Sequence, residues 1–181
     1  MIWLLHGALL LIVSGLVHIA SVILMPSITQ QDAFSRIAEH APLHRLAPIP
    51  PDTMAALPYA DPFIRLAACR YDLAIGPVRI RAPLSQTYLA VVLVDPARGI
   101  ISSVSDRAGT GGSLDVVLAT PLQLERIESF DEGEEAIEEI RMAITRPKGL
   151  ALVKVLVDRP SSLPMAEDVL GKAQCISESL P

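Results

Sequence analysis

Residues 88–106, YLAVVLVDPARGIISSVSD, decide the fold class. Two runs rich in β-branched residues, 88–95 and 99–106, flank the short connection PAR. Runs of this length separated by turn residues predict β-strands. Similar runs precede them, because FIRLAACRYDL (63–73) and VRIRAP (78–83) flank AIGP, a connection typical of a hairpin. In VRIRAP, apolar residues alternate with arginines, which predicts one face on a core and one in water.

The remaining segments continue the β pattern and add two helices. SLDVVLAT (113–120) is followed by a predicted helix in which Thr120 caps the N-terminus and Gln123 completes a capping box. Two further strands are joined by RPKG, and LPMAEDVLGKAQC (163–175) predicts a terminal helix ending near Gly171. About seven strands with few helices predict a mainly β fold, an antiparallel β-sandwich or open barrel of about 120 residues, with one short internal helix and a C-terminal helix.

The N-terminal segment has a different composition. Residues 2–25 contain no Asp, Glu, Lys or Arg, and 24 helical residues exceed the roughly 30 Å hydrocarbon core of a bilayer. The sequence predicts one transmembrane helix. A cleaved secretory signal is the alternative, but the basic n-region and the small-residue cleavage site that such a signal needs are absent. An uncleaved signal anchor is therefore favoured.

One side of this predicted helix carries small and polar residues. Gly7, Ser14 and Ser21 recur every seven residues, and His18 follows Ser14 by four. Membrane helices approach each other through such residues, so this stripe predicts a helix–helix contact. An ionisable histidine in a span suggests a functional role, and the alternative is that His18 reaches toward the interface.

A proline-rich segment separates the helix from the strands. Six prolines between positions 42 and 62 predict only short helical turns and extended pieces. Its apolar residues suggest that it lies against the domain, and these are Leu43, Leu46, Ile49 and Leu57. The predicted organisation is a transmembrane signal anchor over 1–26, a linker over 27–62 and a β-domain over 63–181.

The two cysteines indicate the cellular compartment of the β-domain. Cys69 and Cys175 lie at opposite ends of the predicted β-domain, and a long-range disulfide between them suits an oxidising space such as the periplasm. Two unrelated buried thiols are the alternative. Arg36 and Arg45 follow the helix, and by the positive-inside rule they favour a cytoplasmic domain. Two basic residues with acidic residues among them are a weak signal of membrane orientation.

Charge excludes some classes of function. The formal net charge is −5, and residues 125–139 hold eight of the 20 acidic residues, which argues against a nucleic-acid partner. The spacing of these acidic residues matches no EF-hand calcium loop. We therefore interpret them as part of a solvated loop and a strand edge. No CxxC motif or third ligand accompanies the cysteines, and we expect neither a metal site nor a cofactor.

The loop SVSDRAGTGGSLD (103–115) is the segment that most suggests chemistry. It lacks the Lys-Ser/Thr of a P-loop, precedes a strand, and has no nucleophile elbow. The glycines predict positive φ at a strand reversal. A catalytic serine would need a base, and all four histidines precede the β-domain, at positions 6, 18, 40 and 44. No catalytic residue is assigned; Ser105, Asp106 and Arg107 form a possible recognition loop.

The run from Cys69 to Pro121 resembles the short, membrane-anchored members of the domain of unknown function 1254 family of alphaproteobacterial envelopes. The shared pattern is a strand before GPV, RAP before an aromatic and a long apolar strand, and SxxDR before GGxLDxV. The resemblance implies a β-sandwich-like domain outside the inner membrane, often encoded beside or fused to a second β-domain, which we do not expect in this sequence. It implies no catalytic motif, and Cys69 and Cys175 fit its pattern.

Two functions follow as expectations. The first is a single-pass inner-membrane envelope protein without enzymatic activity, whose periplasmic β-domain binds a partner protein or a cell-wall component. A second membrane-anchored envelope protein is the expected partner. The alternative is an enzyme or small-ligand carrier that uses the Ser105, Asp106 and Arg107 loop, and such a site needs a deep concavity with a base in reach.

Overall fold

The computed structural model describes residues 2–57, 60–130 and 139–180, with the backbone alone described for 26–32. Within these residues the helices are α1 (Ile2–His40), α2 (Pro51–Ala55), α3 (Pro121–Phe130) and α4 (Leu163–Lys172). The strands are β1 (Ala47–Pro48), β2 (Ile64–Asp72), β3 (Val78–Pro83), β4 (Leu89–Asp95), β5 (Gly99–Ser105), β6 (Ser113–Ala119), β7 (Ile140–Ala143), β8 (Lys148–Leu156) and β9 (Gln174–Ser177).

The strands form a sandwich of two sheets. Sheet A has the order β1-β2-β8-β4-β5, and sheet B has the order β7-β6-β3-β9. Buried residues of both sheets and of α4 form one core between them, which includes Leu93, Val116 and Ala166. The predicted mainly β fold is confirmed, and the two distinct sheets make it a sandwich and not a barrel.

The connections differ from the sequence predictions at two points. The AIGP connection is not a hairpin, because β2 lies in sheet A and β3 lies in sheet B. Strands β6 and β7 pair in parallel around α3, whereas the sequence predicted an antiparallel arrangement throughout. A helix between two strands allows the chain to return to the same end of the sheet, which a short turn cannot do.

The predicted capping box forms at the start of α3. The Thr120 backbone N–H donates to Gln123 Oε1 at 2.8 Å, and the Gln123 N–H donates to Thr120 Oγ1 at 3.3 Å. The terminal helix ends at Lys172, one residue beyond the predicted end. Strand β9 follows it and was not predicted, because its four residues are too few to show a pattern of their own.

The linker prediction is wrong for its first part. The helix that begins at Ile2 continues through Pro26 to His40, and residues 27–40 contain no further proline. It ends before Pro42, because the residue that precedes a proline disfavours the helical conformation. Ile37, Ala41 and Ile49 are buried against the outer face of sheet A, and Leu57 packs beside them. Leu46 packs against the main core instead, whereas Leu43 is 48% exposed and does not bear out its predicted burial.

The segment Ile2–Met25 is long and apolar enough to span a membrane, and none of it is buried against the rest of the chain. Its leucines, isoleucines and valines are all exposed. The acidic run at 125–139 falls partly on α3 and partly on residues 131–138, which lie outside the described part of the chain.

Candidate functional site

The glycine loop is a tight turn that connects the two sheets. Thr110 and Ser113 exchange backbone hydrogen bonds of 3.1 and 3.0 Å around Gly111 and Gly112. These glycines have φ of 57° and 81°, and two successive positive φ values are the requirement of a type I′ turn. The predicted use of glycine for positive φ is confirmed at these two positions.

The possible recognition loop begins where β5 ends. Asp106 starts a 3₁₀ turn that ends at Ala108, and its carbonyl oxygen accepts a hydrogen bond from the Gly109 N–H at 3.0 Å. Arg107 is exposed. Arg107 pairs with neither Asp95 nor Asp115, because other groups contact both of those carboxylates.

Asp95 is satisfied by its own turn. Its Oδ1 accepts hydrogen bonds from the backbone N–H groups of Ala97 and Arg98 at 2.8 and 2.9 Å, and Arg146 Nε lies 3.5 Å from its Oδ2. This carboxylate therefore closes the β4–β5 connection in the manner of an Asx turn.

The two histidines outside the apolar segment are engaged far from Ser105. His40 Nε2 lies 3.0 Å from Thr53 Oγ1, and His44 Nε2 accepts a hydrogen bond from the Asp72 N–H at 3.0 Å. Asp72 ends β2, three strands away from β5 in sheet A, and this separation is about 14 Å. His44 cannot serve as a base for Ser105 in this arrangement.

The two cysteines form a bridge between the sheets. Cys69 in β2 and Cys175 in β9 are joined by a disulfide, with their Cα atoms 6.5 Å apart. Both residues are at most 2% exposed. The bridge spans 106 positions of sequence and closes the sandwich at its core.

Among the described residues, none outside the apolar helix contacts the stripe. No atom outside the helix approaches Gly7 within 4 Å of where a Cβ would lie. Ser21 Oγ donates to the Val17 carbonyl at 2.8 Å, so its own helix satisfies this hydroxyl. Ser14 and His18 are exposed. The helix–helix contact stays a prediction.

An ionic network covers the outer face of sheet B. Asp115 in β6 is 7% exposed, and its Oδ2 accepts hydrogen bonds from Arg79 Nη1 at 3.1 Å and from Arg81 Nε at 2.9 Å. Arg79 Nε also donates to Glu178 Oε1 at 2.5 Å. Burial of this guanidinium opposes its charged form, but the surrounding carboxylates prevail and raise the Arg79 pKa.

Glu139 extends the network to β7. Its side chain is 4% exposed, and its Oε1 accepts a hydrogen bond from Arg141 Nε at 2.7 Å. Its Oε2 lies 2.6 Å from Arg79 Nη2, an ion pair without hydrogen-bond alignment. The sequence showed the alternating arginines of β3 but not their partners, because Glu139 and Glu178 are brought to them only by the strand order. We refer to Arg79, Arg81, Asp115, Glu139, Arg141 and Glu178 as the ionic face.

A polar cleft lies between the β3–β4 connection and the start of α4. It has a volume of about 660 Å³, and residues 105–107 are not among those that line it. Its charges are paired with each other, since Lys172 Nζ lies 2.7 Å from Asp168 Oδ2 and Arg159 Nε lies 3.5 Å from Asp158 Oδ2. The Ser162 hydroxyl donates to Asp158, and this hydrogen bond is the main cause that lowers the Asp158 pKa.

Comparison with known proteins supports the fold only. No protein-family model and no curated protein matches the chain. The VPA0106 protein from Vibrio parahaemolyticus is similar in structure, with a TM-score of 0.55 and 11% identity over 82% of this chain. A putative uncharacterized protein from Burkholderia cenocepacia has a TM-score of 0.50 at 11% identity, also over 82% of this chain. This chain spans 35% and 38% of those two chains, and at this identity the likeness concerns the fold alone.

Proposed function

We propose that this protein is a single-pass envelope protein without enzymatic activity, anchored in the bacterial inner membrane by residues 2–25, with its β-domain in the periplasm. The observation that carries the proposal is that one helix is fully exposed and apolar at its start and buried in the β-domain at its end. Such a helix joins the β-domain to the surface that solvates its apolar first part.

The membrane anchor is supported by the unfavourable free energy of exposing this apolar helix to water. Monomeric proteins in water rarely expose a contiguous apolar surface of this size, because its hydration is unfavourable. Residues 2–25 expose their leucines, isoleucines and valines along the whole segment, and a bilayer solvates these side chains. At 1.5 Å per residue the segment is about 36 Å long, which is enough to cross.

A periplasmic location of the β-domain is supported by the disulfide bridge between β2 and β9. Disulfides persist in oxidising spaces and are rare where thiols are kept reduced. Cys69 and Cys175 are bonded and buried. Outside the cytoplasm the bridge would stabilise a domain whose two sheets have few other covalent constraints.

We also propose a binding role, in which the domain contacts a partner protein or a cell-wall component. His40 and His44 are engaged on the side of sheet A opposite β5. The charged groups of the ionic face are paired with one another. The relationship to the domain of unknown function 1254 family remains part of this proposal and depends on the sequence motifs alone.

The test is membrane extraction of the full-length protein, with a variant that lacks residues 2–25 as the matched control. We expect the full-length protein to stay in the membrane pellet after alkaline carbonate and to dissolve only in detergent. The variant should be released as a folded domain. A full-length protein released by carbonate would contradict the anchor.

A further inference from the structure

The polar cleft beside α4 has the size and the walls of a small-molecule site. Its volume of about 660 Å³ lies within the range of about 300 to 1,000 Å³ that such sites occupy. One wall is the β3–β4 connection, with Ser85, Gln86 and Thr87, and the other is formed by residues 158–162 and by α4. The Met165 sulfur lies 3.8 Å from Ser85 Oγ, so the two walls meet at this contact.

Both walls are held in place by contacts within the protein. In the first wall, the Thr87 backbone N–H donates to Ser85 Oγ at 3.1 Å, and the two hydroxyl oxygens lie 3.1 Å apart. In the second wall, the Ser162 hydroxyl donates to Asp158, and α4 is buried in the core through Val169. A site that is already ordered loses little conformational entropy when a ligand binds.

The charges of the cleft disfavour a charged ligand. The described residues that line it include two acidic and two basic ones, which pair as Asp158 with Arg159 and Asp168 with Lys172. An anion would compete with a carboxylate for each cationic group, and a cation would compete with the guanidinium or the ammonium for each carboxylate. A neutral ligand can bind without breaking either ion pair.

The same pairs keep hydrogen-bonding capacity for a neutral ligand. Lys172 Nζ has three N–H groups, of which one donates to Asp168 Oδ2 at 2.7 Å, and the carboxylate can accept further hydrogen bonds. A donor and an acceptor therefore lie side by side. Two neighbouring hydroxyls of a sugar ring match this arrangement, because one can accept from the ammonium while the other donates to the carboxylate. Asp158 and Arg159 offer a second pair of the same kind.

The cleft also has an apolar part. Leu84, Met165 and Val169 are among its lining residues. The C–H groups of a sugar ring form an apolar surface between its hydroxyls, and this surface can pack on such side chains. Small-molecule sites combine apolar contact with a few placed polar groups, and a saccharide would use both parts of this cleft.

We propose that this cleft binds a neutral saccharide, with the Asp168–Lys172 and Asp158–Arg159 pairs contacting its hydroxyls and Met165 contacting its ring. This inference rests on the proposed binding role, because it identifies the cell-wall component as a glycan. It assigns the binding site to the cleft and not to the loop of residues 105–107, which does not line it.

The test is a titration of the full-length protein in phosphocholine micelles, a detergent without a sugar headgroup. The probes are the neutral disaccharides maltose, cellobiose and di-N-acetylchitobiose, and the backbone amide NMR signals report both the dissociation constant and the place of binding. We expect at least one probe to bind and to shift the signals of residues 83–87 and 158–172. Digalacturonic acid, an anionic disaccharide, should bind more weakly than the best neutral probe.

Two neighbouring acidic residues on α4 supply the variant and its control. Asp168→Ala should weaken saccharide binding about tenfold, because it removes the acceptor of the first pair. The Asp168 side chain is 58% exposed, so an unchanged melting temperature is expected for this variant. Glu167→Ala removes an exposed carboxylate that does not line the cleft, and it should bind as the wild type does.

Three results would overturn the proposal: no binding of any neutral disaccharide at millimolar concentration, tighter binding of digalacturonic acid, or equal weakening by the two variants. Carbonate extraction reports the anchor separately. An anchored protein that binds no saccharide contradicts this inference and leaves the anchor and a partner protein as the proposed function. Saccharide binding by a protein that carbonate releases would contradict the anchor alone.

Discussion

The two outer faces of the sandwich are stabilised in two different ways. The outer face of sheet A is apolar, with Leu66, Leu150 and Leu152 covered by the end of α1 and by residues 49–57. Among the described residues the outer face of sheet B has no such cover, and it carries the ionic face, in which Arg79 contacts Asp115, Glu139 and Glu178. One face is stabilised by hydrophobic burial and the other by reciprocal charge pairing.

The difference follows from the strand patterns. In β4 and β8 the apolar residues are nearly continuous, and both faces of these strands are buried. In β3 the alternation of Val78, Ile80 and Ala82 with arginines gives one buried and one partly exposed face. A continuous apolar run in an antiparallel sheet therefore indicates a second covering layer, which here comes from the segment between the apolar helix and β2.

The bridge between the sheets gives the largest expected effect. Replacing both Cys69 and Cys175 by alanine should lower the free energy of unfolding by about 4 kcal/mol, because a closed loop of about a hundred residues is released in the unfolded chain. Denaturant titration of the β-domain measures it. The same protein with its disulfide intact is the control, and equal midpoints would show that the bridge contributes nothing.

The covered face of sheet A is tested by a leucine truncation. Leu152→Ala should destabilise the protein by about 3 kcal/mol, because Leu152 is 9% exposed beneath the covering segment and leaves a cavity. Leu122→Ala is the matched control, since Leu122 is 61% exposed on α3 and its loss should cost under about 0.5 kcal/mol. Equal effects of the two variants would mean that the cover contributes little.

The ionic face is tested by removing its central cation. Arg79→Met should cost about 2 to 3 kcal/mol, because it leaves Asp115 and Glu139 buried without their shared partner. Arg81→Met should cost under about 1 kcal/mol, since the Arg81 side chain is 54% exposed. If neither change lowers the melting temperature, the ion pairs contribute no measurable stability. The two outer faces would then not be stabilised in the two different ways described above.

The core between the sheets makes a smaller, pH-dependent contribution through Tyr71. Burial, and secondarily the charge of Asp95, raises the pKa of Tyr71 to about 12. The ordinary value is 10.0, so the unfolded chain loses this proton first. The stability contributed by the buried neutral phenol is present below pH 10 and declines as the pH rises toward 12.

Absorbance titration of the folded protein, compared with Tyr71→Phe, isolates this group. The variant should lose the tyrosinate signal that appears near pH 12, and its stability should decline less between pH 10 and pH 12. A folded protein in which all phenols titrate near pH 10 would contradict the burial of Tyr71.

The sequence was sufficient where local chemistry determines the structure. The capping box at Thr120 and Gln123, the positive φ of Gly111 and Gly112, and the alternation in β3 all depend on neighbouring residues, and each is present in the structure. These features need only the preferences of a few adjacent side chains.

The sequence was insufficient where distant segments meet. The AIGP connection has the composition of a hairpin turn, yet β2 and β3 belong to different sheets, because burial of both faces of β2 outweighs the local preference of the turn. The partners of Arg79 include Glu139 and Glu178, which lie 60 and 99 positions away and are selected by strand order. No local pattern encodes such pairings.

Protease treatment of spheroplasts that contain the full-length protein tests whether residues 2–25 hold the β-domain outside the cytoplasmic membrane. We expect protease added outside to remove the β-domain and to leave an N-terminal fragment in the membrane, whereas inside-out vesicles should protect the domain. A domain protected in intact spheroplasts and degraded in inside-out vesicles would contradict it.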